Sequence, residues 1–127
     1  MLVIFILILI ASIAKAVMDR IKDGIGGSIF FDMPHNKFRS WMDDYTSWQY
    51  KWKNGNIKEG ERFFGSSTFL VWITDGWHFF QKLFLTAMFL LVILYRPMIC
   101  GFWDFMIMYF VFTTLFEIWY RLLGRKA

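Results

Sequence analysis

Three long apolar runs, Leu2 to Met18, Phe63 to Tyr95 and Met98 to Tyr120, constrain this chain more than any other feature. A helix needs about 20 apolar residues to cross a hydrocarbon core about 30 Å thick. The first run is at the short end of that requirement and the third fits it. The second would be roughly 50 Å long as a single helix, too long for one perpendicular crossing. Overall, 57% of the residues are hydrophobic, against about 45–50% in soluble domains. The expected fold is an all-α integral membrane protein with three transmembrane helices, over 1–18, 63–95 and 98–120.

The first run imitates a secretory signal peptide, with an apolar core and Ala14-Lys15-Ala16 resembling a cleavage site. No Lys or Arg precedes that core, which opposes cleavage, so it is read as a retained first crossing. Cys100 is the one cysteine, so no intrachain disulfide can form.

Charge position sets topology. Arg20, Lys22, Lys37, Arg39, Lys51, Lys53, Lys58 and Arg62 all lie between the first two runs. Positive loops stay in the cytoplasm, so segment 19–62 is expected there, with the N-terminus outside. The connection near Arg96-Pro97 then falls outside. The basic tail 121–127, with Arg121, Arg125 and Lys126, returns to the cytoplasm. This N-out, C-in arrangement is what an inner (cytoplasmic) membrane protein would show.

Within segment 19–62, Asp23-Gly24-Ile25-Gly26-Gly27-Ser28 reads as a flexible connector, since no strand precedes it to make a phosphate-binding loop. Ser40 as N-cap with Asp43 three residues on predicts a helix over about 40–53, ended by Asn54-Gly55. Trp41, Tyr45, Trp48 and Trp52 recur at i, i+4, i+7 and i+11, which is one helical face. Trp and Tyr favour the membrane–water boundary. The segment is therefore expected to be an amphipathic interfacial helix, with Lys51 and Lys53 reaching toward headgroups. The alternative is that the stripe packs on a partner or on the chain's own helices.

Two layouts compete for the second run. One tilted helix could extend from about Ser67 to Tyr95. Alternatively, a short interfacial helix over 63–74 precedes a crossing that Asp75 caps and Gly76 begins. Asp104 is expected to cap the third crossing or to pair with Arg96.

The second run carries Asp75, His78, Gln81 and Lys82 at three- and four-residue intervals, on one helical face. Ionisable groups at membrane depth are costly and suggest a functional site. Folding the hairpin about Arg96 to Gly101 would bring Glu117, with Thr113 and Thr114 a turn above it, to a similar depth. A polar cluster of Asp75, His78, Gln81, Lys82 and Glu117 follows as an expectation. It admits three chemistries. Asp75, His78 and Glu117 could ligate a divalent metal, with His35 or Asp32 adding a fourth ligand. Asp75, His78 and Glu117 could instead form a proton or ion path. Or the cluster is structural, with Asp75 capping a helix, His78 bonded to it and Lys82 paired with Glu117. The common hydrolase, metalloprotease and P-loop signatures are absent.

Ser47-Trp48-Gln49-Tyr50-Lys51-Trp52-Lys53, Gly60 to Thr68 and Val71 to His78 together resemble the central stretch of small uncharacterised bacterial membrane proteins. The resemblance covers about a quarter of the chain and implies no mechanism. The expected role is that of a small non-catalytic accessory or scaffold subunit in a larger inner-membrane assembly, or a self-associating one. Its partners would be lipids and other membrane subunits, without nucleic acid and without a required cofactor. A homo-oligomeric pore or ion path and a lipid-active membrane metalloenzyme are the alternatives.

Overall fold

The computed structural model describes residues 1–125; Lys126 and Ala127, the end of the expected basic tail, lie outside the described residues. Among the described residues five α-helices form: α1 (Leu2–Lys22), α2 (Lys37–Met42), α3 (Asp44–Ser47), α4 (Gly76–Leu94) and α5 (Gly101–Leu122). Short 3-10 turns join them, and no strand occurs among the described residues. α1, α4 and α5 are each long and apolar enough to cross a membrane. α1 continues past Met18 to Lys22, helped by an ion pair between Lys15 and Asp19 one turn apart.

The helix read against signal-peptide chemistry is the centre of the fold. Half of the apolar window of α1 is buried, against 6% for α4 and for α5. Each of those two packs chiefly on α1 rather than on the other. α4 runs antiparallel to α1: Trp77 and Phe80 sit by Val17 and Ile21, while Ala87 sits by Leu7 and Ala11. In lipid, helices associate by close packing rather than by hydrophobic drive, so small residues belong at the contacts. Ala11, Ser12, Ala14 and Ala16 are fully buried on α1. The Ser12 hydroxyl donates to the Leu9 carbonyl at 2.8 Å, so its burial leaves nothing unpaired.

A second core lies where the connecting segment folds over the end of α1 and the start of α4. Val17, Ile21, Ile25, Phe30 and Met42 are buried together there, flanked by Trp41 and Trp77. Gly76 marks the closest approach. A Cβ on it would lie 2.7 Å from the Met42 sulfur, 3.2 Å from Met42 Cα and 3.3 Å from the Trp41 carbonyl oxygen. The sulfur can move, but the backbone of α2 cannot move without losing the core. Gly76→Val is expected to destabilise the protein by about 1–3 kcal/mol, the usual cost of overpacking, read as a lower melting temperature in detergent.

The glycine run is not a free connector. Ile25–Gly27 forms a 3-10 turn, the Ile29 N–H donates to the Leu123 carbonyl and the Arg125 N–H donates to the Gly27 carbonyl, both at 2.9 Å. These bonds tie the run to the end of α5. Arg20 reinforces the tie. Its Nε and Nη2 donate to the Tyr120 carbonyl at 2.8 and 2.5 Å, and its guanidinium lies 3.6 Å from the centre of the Tyr120 ring. Helix C-terminal carbonyls lack intrahelical donors, and Arg20 supplies two to this one.

The single helix expected over 40–53 is replaced by several short turns. α2 starts three residues earlier, with Asn36 rather than Ser40 as N-cap; the Asn36 side chain accepts from the Arg39 N–H at 3.0 Å. Asp43 leaves helical geometry (φ −95°, ψ 115°) and caps α3 by accepting from the Tyr45 N–H. The residue expected to reinforce one helix therefore divides it in two. Beyond Ser47 the chain proceeds by 3-10 turns, held by bonds from Lys53 N–H to Gly60 carbonyl and from Arg62 N–H to Lys51 carbonyl.

Of the two layouts for the second run, the one with a crossing begun at Gly76 is observed. The preceding 63–74 stretch is made of turns and a 3-10 turn at Val71–Ile73, not a short α-helix. In the α4–α5 connection Asp104 is fully buried. It neither occupies the N-cap position of α5, which is Cys100, nor pairs with Arg96. Its carboxylate accepts from the Tyr95 hydroxyl at 2.6 Å and from the Met98 and Ile99 N–H groups at 2.8 and 2.9 Å. It caps the connection itself.

Candidate functional site

Asp75 leads the site because the helix start places it. As N-cap of α4 it has extended geometry, and its Oδ1 accepts the His78 N–H at 2.8 Å. Its Oδ2 takes the His78 Nδ1 at 2.6 Å. Lys51 Nζ lies 3.8 Å from the same oxygen. The Asp75 side chain is 4% exposed, Lys51 23% and His78 33%. The carboxylate also sits at the positive end of the α4 dipole. A buried carboxylate is tolerated when paired and hydrogen-bonded, and here a cap, an imidazole and an ammonium do both.

Lys51 reaches Asp75 because its backbone is held. Its carbonyl accepts the Ser66 hydroxyl at 2.7 Å and the Arg62 N–H at 2.9 Å. The triad thus joins the middle of the connecting segment to the first turn of α4. Asp44, at the start of α3, adds its field. Partial desolvation, then the charge of Asp75, pushes the Asp44 carboxyl above its ordinary range. Sequence reasoning found Asp75 and His78 but missed Lys51 and Asp44 as their neighbours. The missed contacts are long-range and leave no local spacing to read.

The rest of the expected cluster disperses. Glu117 is exposed on α5 and pairs with Arg121 at 2.6 Å, one turn away on its own helix. Lys82 is exposed on α4 and Gln81 is half-buried; no hydrogen bond joins either to Glu117 among the described residues. The Thr113 hydroxyl donates to the Tyr109 carbonyl at 2.9 Å, within α5. Asp32 pairs with Arg125 at 3.2 Å and His35 lies 3.1 Å from Arg39. Among the described residues no three of His, Cys, Asp and Glu are grouped so as to hold a metal ion. The expected ligand set Asp75, His78 and Glu117 is therefore not assembled among the described residues. The groove beside Glu117 is lined by α5 residues alone, from Thr113 to Arg121, so it is a surface depression and not a space between helices.

Geometry limits what the Asp75–His78 pair can do chemically. With Nδ1–H donated to Asp75, a neutral His78 keeps Nε2 as its free lone pair.

The aromatic stripe also splits. Trp41 turns inward: its Nε1 donates to the Ile73 carbonyl at 2.9 Å, and its ring lies 5.6 Å from that of Phe79. Tyr45 and Trp48 stay exposed, at 81% and 42%, and Trp52 bridges to Glu61. Lys53 is exposed, whereas Lys51 is turned to Asp75 and does not reach outward as expected.

Glu61 orders the turn that follows. Its carboxylate accepts the Gly65 N–H at 3.1 Å, the Ser67 N–H at 3.3 Å and the Ser67 hydroxyl. The Ser67 hydroxyl, then the Gly65 N–H, hold this carboxyl below the usual range. A lowered native value means the contacts stabilise the turn above the unfolded value of about 4.3 and are lost as pH falls through the lowered one. Hydrogen exchange at the Gly65 and Ser67 amides, corrected for intrinsic rates, is expected to accelerate on acidification below that point. Glu61→Gln should remove most of this pH dependence.

No family model matches this chain, and neither a curated protein nor a solved structure does.

Proposed function

We propose that this chain is a small non-catalytic subunit of a larger membrane assembly, making contacts to lipid and to partner helices. One observation carries the reading: Asp75, His78, Asp104 and Glu117 are engaged within the fold while its long apolar faces are not. Asp75, His78 and Lys51 close the junction between the connecting segment and α4. Asp104 closes the hairpin and Glu117 is paired on its own helix. Meanwhile Phe89, Val92, Ile93, Phe102 and Phe110 are each about two-thirds exposed or more on α4 and α5. Such faces suit lipid and neighbouring helices.

In this reading the connecting segment lies on the cytoplasmic surface, with the N-terminus outside and the C-terminus inside, because eight basic residues lie between the first two apolar runs. The exposed Tyr45 and Trp48 then sit at the headgroup boundary, where an apolar ring and a polar edge are both accommodated. A bacterial inner membrane is the proposed location, on the same charge pattern.

Native mass spectrometry of the protein extracted in mild detergent tests the role. The expected result is a stoichiometric particle containing unlike subunits beside this 15.3 kDa chain. Identical copies alone would support self-association instead, and a monomer would contradict both. Reporter fusions at the two ends test the orientation, which a cytoplasmic N-terminus would overturn.

A further inference from the structure

One groove combines features that the Asp75 junction does not use. It has a volume of about 430 Å³ and lies between the start of α2 and the turns before α4. Phe38, Trp41, Phe63 and Ile73 give it apolar walls, and Lys37 and Arg62 stand on its lining. No carboxylate lines it. Neither cation forms an ion pair among the described residues, although Lys51, Arg121 and Arg125 all do. The wall is built rather than incidental. The Trp41 indole N–H is fixed on the Ile73 carbonyl at 2.9 Å, and the Arg62 guanidinium lies 5.9 Å from the centre of the Tyr50 ring.

Its position along α4 is equally specific. Ile73 and Thr74, both on the lining, directly precede the Asp75 cap. α4 has 19 residues, a rise of about 28 Å at 1.5 Å per residue, close to the thickness of a hydrocarbon core. A groove two or three residues before such a helix lies at headgroup level if α4 spans. The open apolar wall then faces acyl chains while the two cations face phosphates. Phe38 and Ile73 remain nearly half exposed, at 48% and 47%.

We propose that this groove holds one anionic phospholipid, its phosphate between Lys37 and Arg62 and the upper part of an acyl chain against Phe38, Phe63 and Ile73. The charge chooses the occupant: two unpaired cations with no acid fit a net negative headgroup and gain little from a zwitterionic one. Trp41 and Tyr50 shape the site. The proposal rests on the interfacial placement of the connecting segment proposed above, and its test separates the two.

Purified protein in detergent is titrated with phosphatidylglycerol, with phosphatidylcholine and with inorganic phosphate, while its melting temperature is followed. Phosphatidylglycerol is expected to raise the melting temperature saturably and phosphatidylcholine is not. Lys37→Gln and Arg62→Gln should each weaken apparent affinity about fivefold, the scale of one cation's attraction to anionic lipid, with an unchanged melting temperature in phosphatidylcholine. If the Arg62 variant does not fold, Lys37→Gln, on an exposed side chain, decides alone. Equal stabilisation by both lipids, an unchanged affinity in the variants, or an equal effect of inorganic phosphate would each overturn the proposal. A spin label at Tyr45→Cys in a Cys100→Ser background reports separately on placement. A label at headgroup depth with no lipid selectivity removes the groove and keeps the interfacial reading; a label in bulk water removes both.

Discussion

Asp104→Ala is expected to be the most damaging single substitution in the chain, lowering stability by about 3–5 kcal/mol. The carboxylate is fully buried and accepts three hydrogen bonds, from the Tyr95 hydroxyl and the Met98 and Ile99 N–H groups. Removing it leaves three part-buried donors without their acceptor, each loss costing at most about 1–3 kcal/mol. It also removes an anion from the first turn of α5, where the helix dipole favours one. Asp104→Asn is the informative comparison. An amide oxygen can still accept from one or two of the donors, so about half of the loss should return. Tyr95→Phe should cost about 1 kcal/mol, the net worth of one hydrogen bond. Thermal unfolding in detergent measures all three. A loss under about 1 kcal/mol for Asp104→Ala would mean that the connection is held by something other than this side chain.

Asp75→Ala is the second large effect, expected at about 2–4 kcal/mol. It removes the N-cap of α4, the imidazole bond and the partner of Lys51 together. The loss should be local in origin. Hydrogen exchange should rise first at the His78 amide and in the segment around Lys51, while the middle of α1 stays protected. His78→Ala should cost less, about 1 kcal/mol, because the cap bond to the His78 amide survives the loss of the ring. The two changes share one interaction, so their combined effect should fall short of their sum.

Much of this fold was legible because its elements are written locally. Three apolar runs of spanning length gave three helices, and Thr74-Asp75-Gly76 marked the start of α4. What escaped was information carried by distant partners. The aromatic stripe from Trp41 to Trp52 has helical spacing, yet Asp43 captures the Tyr45 N–H and divides the helix, so the four rings go to different places. Asp43 has the spacing of an ally to a cap at Ser40, and the same side-chain oxygen serves equally well to start a new helix. The glycine run looked free because its partners, Leu123 and Arg125, lie about a hundred residues away.

For the candidate site, spacing paired Asp75 with His78 correctly, since both belong to one helical turn. It failed for Glu117. Folding a hairpin sets the depth of a residue but not the direction its helix turns it. α5 packs chiefly on α1 and not on α4, so Glu117 faces away and takes Arg121 as its partner. The small-residue run Ala11, Ser12, Ala14 and Ala16 was the available signal that α1 would be the central helix.

The central claim of the proposed reading is that Asp75, His78 and Lys51 hold a junction closed by their own contacts, without a bound metal. The direct measurement is thermal unfolding of the natively purified protein with and without EDTA, in the parent, Asp75→Ala, His78→Ala and the double variant. The account predicts no response to EDTA in any of the four. It also predicts a double variant about as stable as Asp75→Ala alone. A melting temperature that EDTA lowers in the parent, and that His78→Ala renders insensitive, would contradict it.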